Sequence, residues 1–226
     1  MENKERLFIR ILKELQEAGA LDELILIGSW CQYFYRINFN NPPEIPAVRT
    51  LDLDFLVPCP NKIKKEVDIT ALLIKLGFEP RINYPSGLKK FQHTDLSVEF
   101  LVPEKGRGFS KPYEIKKLNI NAQGLRFLIL LSGNIMTIRT DDLIVRLPEP
   151  AAYVLHKFII GRRRLQKDKA DKDLSAAKEI GEFLLRDPEQ RTKLQRIFES
   201  LPKKWQVKIR ASVKNISPEL HSVVSN

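Results

Sequence analysis

The segment Leu51-Asp52-Leu53-Asp54-Phe55-Leu56-Val57 constrains the fold more than any other stretch of the chain. Side chains alternate across a strand, so Asp52 and Asp54 share one face while Leu51, Leu53 and Phe55 share the other, the core face. Upstream, the apolar run Leu24-Ile25-Leu26-Ile27 meets Gly28-Ser29 and passes into the aromatic segment Trp30 to Phe39. The layout is strand, glycine turn, helix, acidic strand. Backbone N–H groups at the start of a helix, with no Cβ in the way at Gly28, make an anion cradle.

Two carboxylates on one strand face raise each other's pKa unless a cation lies between them. Magnesium suits the position, because it takes oxygen ligands from one or two carboxylates plus substrate phosphates, and two such ions about 4 Å apart can clamp both ends of a phosphoryl displacement. A later apolar strand, Leu96-Ser97-Val98-Glu99-Phe100-Leu101-Val102, carries Glu99 among residues that prefer burial. Asp95 competes for the same role, but an acid inside an apolar strand needs a reason and one in a turn does not. Glu99 is therefore the third expected carboxylate.

Ile27-Gly28-Ser29, then Asp52-Leu53-Asp54, then Glu99 resembles the signature of the nucleotidyltransferase fold of the DNA polymerase β superfamily. Arg49-Thr50-Leu51-Asp52-Leu53-Asp54-Phe55 is similar to the stand-alone bacterial nucleotidyltransferases, including the toxins of toxin-antitoxin pairs. The resemblance implies an α+β fold, a nucleotidyltransferase-like mixed β-sheet with flanking helices followed by a C-terminal helical bundle. It also implies catalytic, metal-holding roles for Asp52, Asp54 and Glu99 with two Mg2+ ions, and nucleotide binding at Gly28 and Ser29. Arg49 could reach a phosphate, or pair with Glu44. The loop Asn40-Asn41-Pro42-Pro43-Glu44-Ile45-Pro46 makes the Ser29–Asp52 segment longer than in the smallest family members.

The remaining composition narrows the alternatives. Cys31 and Cys59 are far apart and His93, His156 and His221 are scattered, so neither zinc nor a histidine-based nucleophile is expected, and both thiols are expected to be at least half-buried. No stretch approaches about 20 uninterrupted apolar residues, and Met1-Glu2-Asn3-Lys4-Glu5-Arg6 has no apolar signal core behind it, so a cytoplasmic protein without membrane association is expected. The net charge is +10, and from His156 onward 17 Lys and Arg stand against 9 Asp and Glu. Such a basic region suits a polyanionic partner, nucleotide or RNA, or equally a solvated helical face.

Taken in order, helical spacing is expected over 3–18 and over 62–76, the latter with Ile63, Val67, Ala71 and Leu72 inward and Gly77 as its stop. Tyr84-Pro85-Ser86-Gly87 and Thr94-Asp95 read as turns around a strand near Phe91. The glycines of Pro103-Glu104-Lys105-Gly106-Arg107-Gly108 do not follow the Walker spacing and read as a surface loop. Segments 117–121, 125–131, 135–139 and 143–147 read as strands extending the sheet. Pro148-Glu149-Pro150 then separates a catalytic domain, 1–147, from a basic helical domain, 148–226. Helices are expected over 151–165, 172–185, 188–199, around Val207 and over 218–224, with Asp187-Pro188 and Ser217-Pro218 as cap and first-turn proline.

Within the helical part, Tyr153-Val154-Leu155-His156-Lys157, Arg162-Arg163-Arg164 and Lys169-Ala170-Asp171-Lys172-Asp173-Leu174 are similar to the Lys, Arg and Lys-Asp pattern that follows the sheet in the toxin-like members. The resemblance implies that Lys157, Lys172 and Asp173 bind nucleotide; ordinary helix solvation is the alternative. The expected activity is a magnesium-dependent transfer of a nucleoside monophosphate from an NTP such as ATP to a hydroxyl of RNA or tRNA, protein or a small molecule. An antitoxin protein is a possible partner. The rivals are a catalytically inactive module that binds nucleotide, RNA or protein, and a two-metal phosphohydrolase or nuclease, which has no use for the Gly-Ser turn.

Overall fold

The computed structural model describes residues 2–48, 50–104, 111–161 and 167–225. Two compact units emerge, one of Met1–Cys31 with Val48–Leu147 and one of Gln32–Ala47 with Pro148–Asn226. The second takes residues 32–47 out of the middle of the first.

In chain order the first unit holds α1 (Glu2–Glu17) and β1 (Ile25–Ile27), then hands α2 (Cys31–Asn38) on to the second unit after its first residue. It resumes with β2 (Asp52–Leu56), α3 (Ile69–Lys75), β3 (Glu79–Asn83), β4 (Leu88–Gln92), β5 (Ser97–Pro103), β6 (Tyr113–Ile115), β7 (Ile120–Leu125), α4 (Leu128–Ser132), β8 (Ile135–Arg139) and β9 (Ile144–Pro148). The main sheet runs β1-β2-β5-β4-β3, with β7 beside the end of β5 and β6 on β7. It is mixed: β2 and β5 are parallel, β1 and β4 antiparallel to them.

Alternation decides its two faces. Leu53 and Phe55 of β2, Val98 and Phe100 of β5, and Phe91 of β4 are fully buried, with Phe55 and Phe100 stacked at 5.9 Å and Phe91 edge-on to Phe100 at 6.1 Å. On the opposite face the strands change character along their length. Leu56 and Leu101 join Ile25, Ile27, Leu128 and Leu131 in an apolar cluster, so α4 covers that end, and the acidic residues follow beyond it. Each fully buried aliphatic side chain contributes about 1.5–3 kcal/mol. A one-residue slip would turn Asp52 and Asp54 into the Phe55 core, which pins the register.

Several expectations are corrected. Leu51 lies before the strand and is 55% exposed rather than core. The helix expected from residue 62 begins only at Ile69, because the Val67 amide donates to Lys117 O (2.8 Å) and Asp68 caps the new start by accepting from Ala71 N (2.8 Å). Its buried side chains are Ile69 and Leu73, with Ala71 exposed. Of residues 125–131 only Leu125 is in a strand: Phe127 takes a left-handed conformation (φ 71°) between the end of β7 and the start of α4. Strands β8 and β9 form their own two-stranded sheet instead of extending the main one. That hairpin is held by α1, where Lys13 pairs with Asp142 (2.6 Å) and Gln16 bridges Asp142 O and Ile144 N. Cys59 is exposed and Cys31 buried, with Cys31 Sγ donating to Leu26 O (3.4 Å).

The second unit continues α2 and adds α5 (Pro150–Gly161), α6 (Lys167–Leu185), α7 (Pro188–Ser200), α8 (Lys203–Val213) and α9 (Pro218–Ser225). Ala151 through Ile159 are buried without interruption, so α5 is the central helix of a bundle rather than an amphipathic cover. Asp187 caps α7 by accepting from Glu189 N (2.8 Å), and Ser217 Oγ accepts from Leu220 N (3.3 Å) at the start of α9. Residues 32–47 belong here because Gln32 donates to Tyr153 Oη (2.9 Å), Tyr35 Oη donates to Pro148 O (2.7 Å), and Phe39 meets Phe183 edge-on. Glu44 pairs with Arg186.

Candidate active site

The site is built by three adjacent strands and one turn of the first unit. Ile27 of β1 lies opposite Asp54 of β2, and Asp54 lies opposite Glu99 of β5. Two residues along, Asp52 is opposite Ser97. The pleat therefore brings Asp52, Asp54 and Glu99 to one face. Ser97 Oγ donates to Asp52 Oδ1 at 2.9 Å, and the Asp52 amide donates to Thr50 Oγ1 at 3.1 Å.

Gly28 follows β1 with φ +73°, and a Cβ added to it would overlap Asp54 Oδ2. Only glycine combines that backbone with so close a carboxylate. From there Gly28–Trp30 forms one tight 3-10 turn that runs into α2, leaving Gly28 and Ser29 half-exposed beside Asp54.

The sequence reading missed Lys90. Its ammonium lies 3.4 Å from Asp52 Oδ1 and 3.6 Å from Glu99 Oε2, with 31% of the side chain exposed. Burial alone would lower its pKa, but Glu99, then Asp52 and Asp54, outweigh that and hold it above the ordinary lysine value. The signal was present in the β4–β5 hairpin. Phe91 pairs with Val98, so one step back along the same register puts Lys90 beside Glu99, and the burial of Phe91 in the core turns Lys90 to the acidic face. Ser97, also missed, follows from the same alternation.

The remaining expected residues divide. Asp95 belongs to its turn, where its amide donates to His93 Nδ1 (3.1 Å). Arg49, Arg162, Arg163, Arg164 and the loop from Lys105 to Gly108 lie outside the described residues. In the helical unit, Lys157 of α5 and Asp173 of α6 form a buried ion pair at 2.5 Å, while Lys172 is exposed.

A family model described as Nucleotidyltransferase matches residues 6–199. The chain belongs to the nucleotidyltransferase family. Its fold is similar to the crystal structure of an antigenic nucleotidyltransferase-like protein from Paracoccidioides brasiliensis, with a TM-score of 0.51, 12% identity, and coverage of 96% of this chain and 91% of that one. No curated protein matches it. Family membership supports a general role in nucleotidyl transfer and implies an NTP substrate. Among the described residues, no helix is long and apolar enough to cross a membrane.

Magnesium can be tested against this nucleotidyltransferase site. The donors are all carboxylate oxygens on one sheet face, with Asp52 39% and Glu99 21% exposed at the side chain, and Gly28 lets the Asp54 carboxylate lie against the turn where a Cβ would overlap it. That donor chemistry fits a hard cation. Among the described residues, no three His, Cys, Asp or Glu side chains are already gathered in a ligand-like group. At this site an ammonium stands between two of the carboxylates.

Proposed function

We propose that the protein transfers a nucleoside monophosphate from an NTP to a hydroxyl acceptor in a magnesium-dependent reaction, with release of pyrophosphate. The observation that carries this reading is the register Ile27–Asp54–Glu99, which brings the glycine turn and three carboxylates together on one half-exposed face. Asp52, Asp54 and Glu99 would hold magnesium, which when bound lowers the acceptor's pKa and offsets phosphate charge. Gly28 and Ser29 cradle the β- and γ-phosphates through backbone N–H groups. The acceptor oxygen attacks the α-phosphorus, its new O–P bond replaces the bond to the β-phosphate bridging oxygen, and pyrophosphate leaves. The alternative role for Glu99 is to take the acceptor's proton on a carboxylate oxygen instead of holding the ion.

On the helical unit, Lys172 is exposed and Lys157 and Asp173 form a buried pair, and the sequence resemblance proposes all three for nucleotide binding. RNA, including tRNA, is the acceptor favoured. Helix α8 carries Lys203, Lys204, Lys208 and Arg210 without an acidic residue, and Lys203, Lys204 and Lys208 flank an exposed Val207. A cytoplasmic toxin role with an antitoxin partner belongs to the same proposal and rests on the sequence resemblance.

Incubation with each α-labelled NTP and magnesium, with and without total tRNA, tests the activity against an Asp52→Ala/Asp54→Ala control. Label moved to RNA by the wild type alone supports the reading; label moved to protein instead changes the acceptor class. A second reading, a binding module without catalysis, is favoured by Lys90, which already neutralises part of the carboxylate charge. NTP binding without transfer to any acceptor would select it.

A further inference from the structure

Strand pairing carries the acidic face further than its three carboxylates. Partners in a ladder share a face, so Asp54 of β2, Glu99 of β5, Lys90 of β4 and Arg81 of β3 form one row across four strands. A second row beside it runs Asp52, Ser97, Gln92, Glu79. Along the first row the charge changes sign between β5 and β4. On one flank of the acids lies the glycine turn that follows β1, against Asp54. On the other flank lies the β3–β4 hairpin, whose residues 79–92 hold Arg81, Lys89 and Lys90 against a single acid, Glu79. Glu79, Arg81, Asn83 and Gln92 are all exposed on this flank. Arg81 pairs with Glu79 at 2.6 Å, with 64% and 69% of the two side chains exposed. An ion pair so wet is weak, and a phosphodiester exchanges for it by offering the guanidinium two oxygens in the fork geometry it prefers.

We infer that the β3–β4 flank receives the acceptor and that Arg81 binds a phosphodiester beside the attacking hydroxyl, so that the acceptor is an RNA end. The inference rests on the nucleotidyl-transfer reading of the carboxylates and the glycine turn. In that reading the triphosphate lies at Gly28 and Ser29, and the attacking and leaving oxygens stand roughly in line through the α-phosphorus. Pyrophosphate on the β1 flank therefore puts the acceptor on the opposite one, over β4 and β3. Neighbouring strands are about 4.8 Å apart, so Arg81 follows Glu99 by two strand spacings with Lys90 between them. A ribose hydroxyl and the phosphodiester of its own nucleotide are separated by one sugar ring, which brings that linkage within reach of the long Arg81 side chain. A cationic acceptor such as an aminoglycoside would meet two like charges on the same approach. The bond changes are those given above for nucleotidyl transfer, and the linkage held by Arg81 is neither made nor broken. This row lies in the first unit and is independent of the basic helix α8.

The test measures apparent KM for total tRNA and for the NTP separately, with α-labelled NTP and magnesium, in wild type, Arg81→Ala, Arg81→Lys and Lys89→Ala. Lys89 is the control for general charge attraction: it belongs to the same hairpin but pairs with Ile82 and shares the strand parity of buried Phe91, on the other face. Arg81→Ala should raise the KM for tRNA roughly tenfold, the scale of one charge-assisted contact, with kcat and the KM for NTP within about twofold of wild type. Arg81→Lys should recover part of the loss, and Lys89→Ala should change the KM for tRNA by less than about twofold. Should alanine on the edge strand disturb folding, Arg81→Gln gives the same reading without the charge. An unchanged KM for tRNA in the Arg81 variants overturns the inference, as does an equal rise in Lys89→Ala. Label found on protein or on an added aminoglycoside in place of RNA also overturns it, while nucleotidyl transfer stands. No label on any of the three acceptors sinks the nucleotidyl-transfer reading itself, and the inference falls with it.

Discussion

Two lysine–carboxylate contacts, one in each unit, show how differently the same chemistry can be used. Lys157 and Asp173 sit 2.5 Å apart with 6% and 10% of their side chains exposed, between a helix buried on nearly every side and its neighbour. Lys90 stands 3.4 and 3.6 Å from two carboxylates that keep 39% and 21% exposure. The first contact is short, dry and closed; the second is long, wet and shared. A closed pair leaves each charge dependent on the other, because removing one strands its partner in a poor solvent. A shared, wet contact can be exchanged for another cation, since water supports the carboxylates meanwhile. The helical unit closes its pair between two helices, whereas the sheet leaves its charges half-exposed.

The largest expected effect tests the available charges. Asp52→Ala/Asp54→Ala should reduce label transfer by on the order of 10⁴-fold, about 5 kcal/mol of transition-state stabilisation. Its chemical denaturation midpoint should stay near wild type, because the removed groups are half-exposed and mutually repulsive. Denaturation that shifts as far as activity would erase the contrast. The next effect tests the closed pair. Lys157→Met should destabilise the protein by about 3–5 kcal/mol, read from urea denaturation followed by circular dichroism, and Lys157→Met/Asp173→Leu should recover most of that. Activity sharpens the result. Recovered stability with recovered transfer makes the pair purely structural, while recovered stability without transfer returns Lys157 and Asp173 to the nucleotide.

Gly28→Ala should have a smaller effect. A methyl group there meets Asp54 Oδ2 at a left-handed backbone position, so we expect a stability loss of about 1–2 kcal/mol, with activity falling further than stability because the displaced group is Asp54. Transfer assays and melts on the same preparation check the difference. Equal falls in both would make Gly28 a fold residue only.

What the sequence made legible follows the same division. The acidic strand, the glycine turn and Glu99 could be read because strand alternation is a period-two rule that needs no knowledge of neighbours. The Pro-capped helices α7 and α9 were readable for a similar local reason, the Asp-Pro and Ser-Pro starts. Lys90 was not read, because its role depends on which strand lies beside Glu99, a pairing set by the hairpin between Tyr84 and Asp95 rather than by any residue of the acidic strand. Residues 125–131 defeated periodicity in another way: Leu128 to Leu131 is apolar throughout, and only the left-handed turn at Phe127 makes it a helix. Nor does any local pattern reveal that residues 32–47 belong with the bundle. That depends on Gln32 and Tyr35 meeting Tyr153 and Pro148, more than a hundred residues away.

The smallest effect separates holding a carboxylate from doing chemistry. Asp52 Oδ1 accepts from Ser97 Oγ at 2.9 Å and faces Lys90 Nζ at 3.4 Å, so both donors help to orient it. Ser97→Ala removes the shorter contact and leaves the charged one, at a cost of about 0.5–1.5 kcal/mol or less in stability. Transfer should then fall by no more than roughly tenfold, since 1.4 kcal/mol corresponds to one factor of ten. The same substitution made in Lys90→Met should do more than it does alone, because these two donors act on the same oxygen of Asp52. A double-mutant cycle over Ser97 and Lys90, read as transfer rate, measures that coupling. A coupling near zero would mean that the two donors act on Asp52 independently, and the ammonium could not then be treated as part of one exchangeable charge cluster. A Ser97→Ala loss as deep as that of the aspartates would instead put the hydroxyl itself at the reacting atoms.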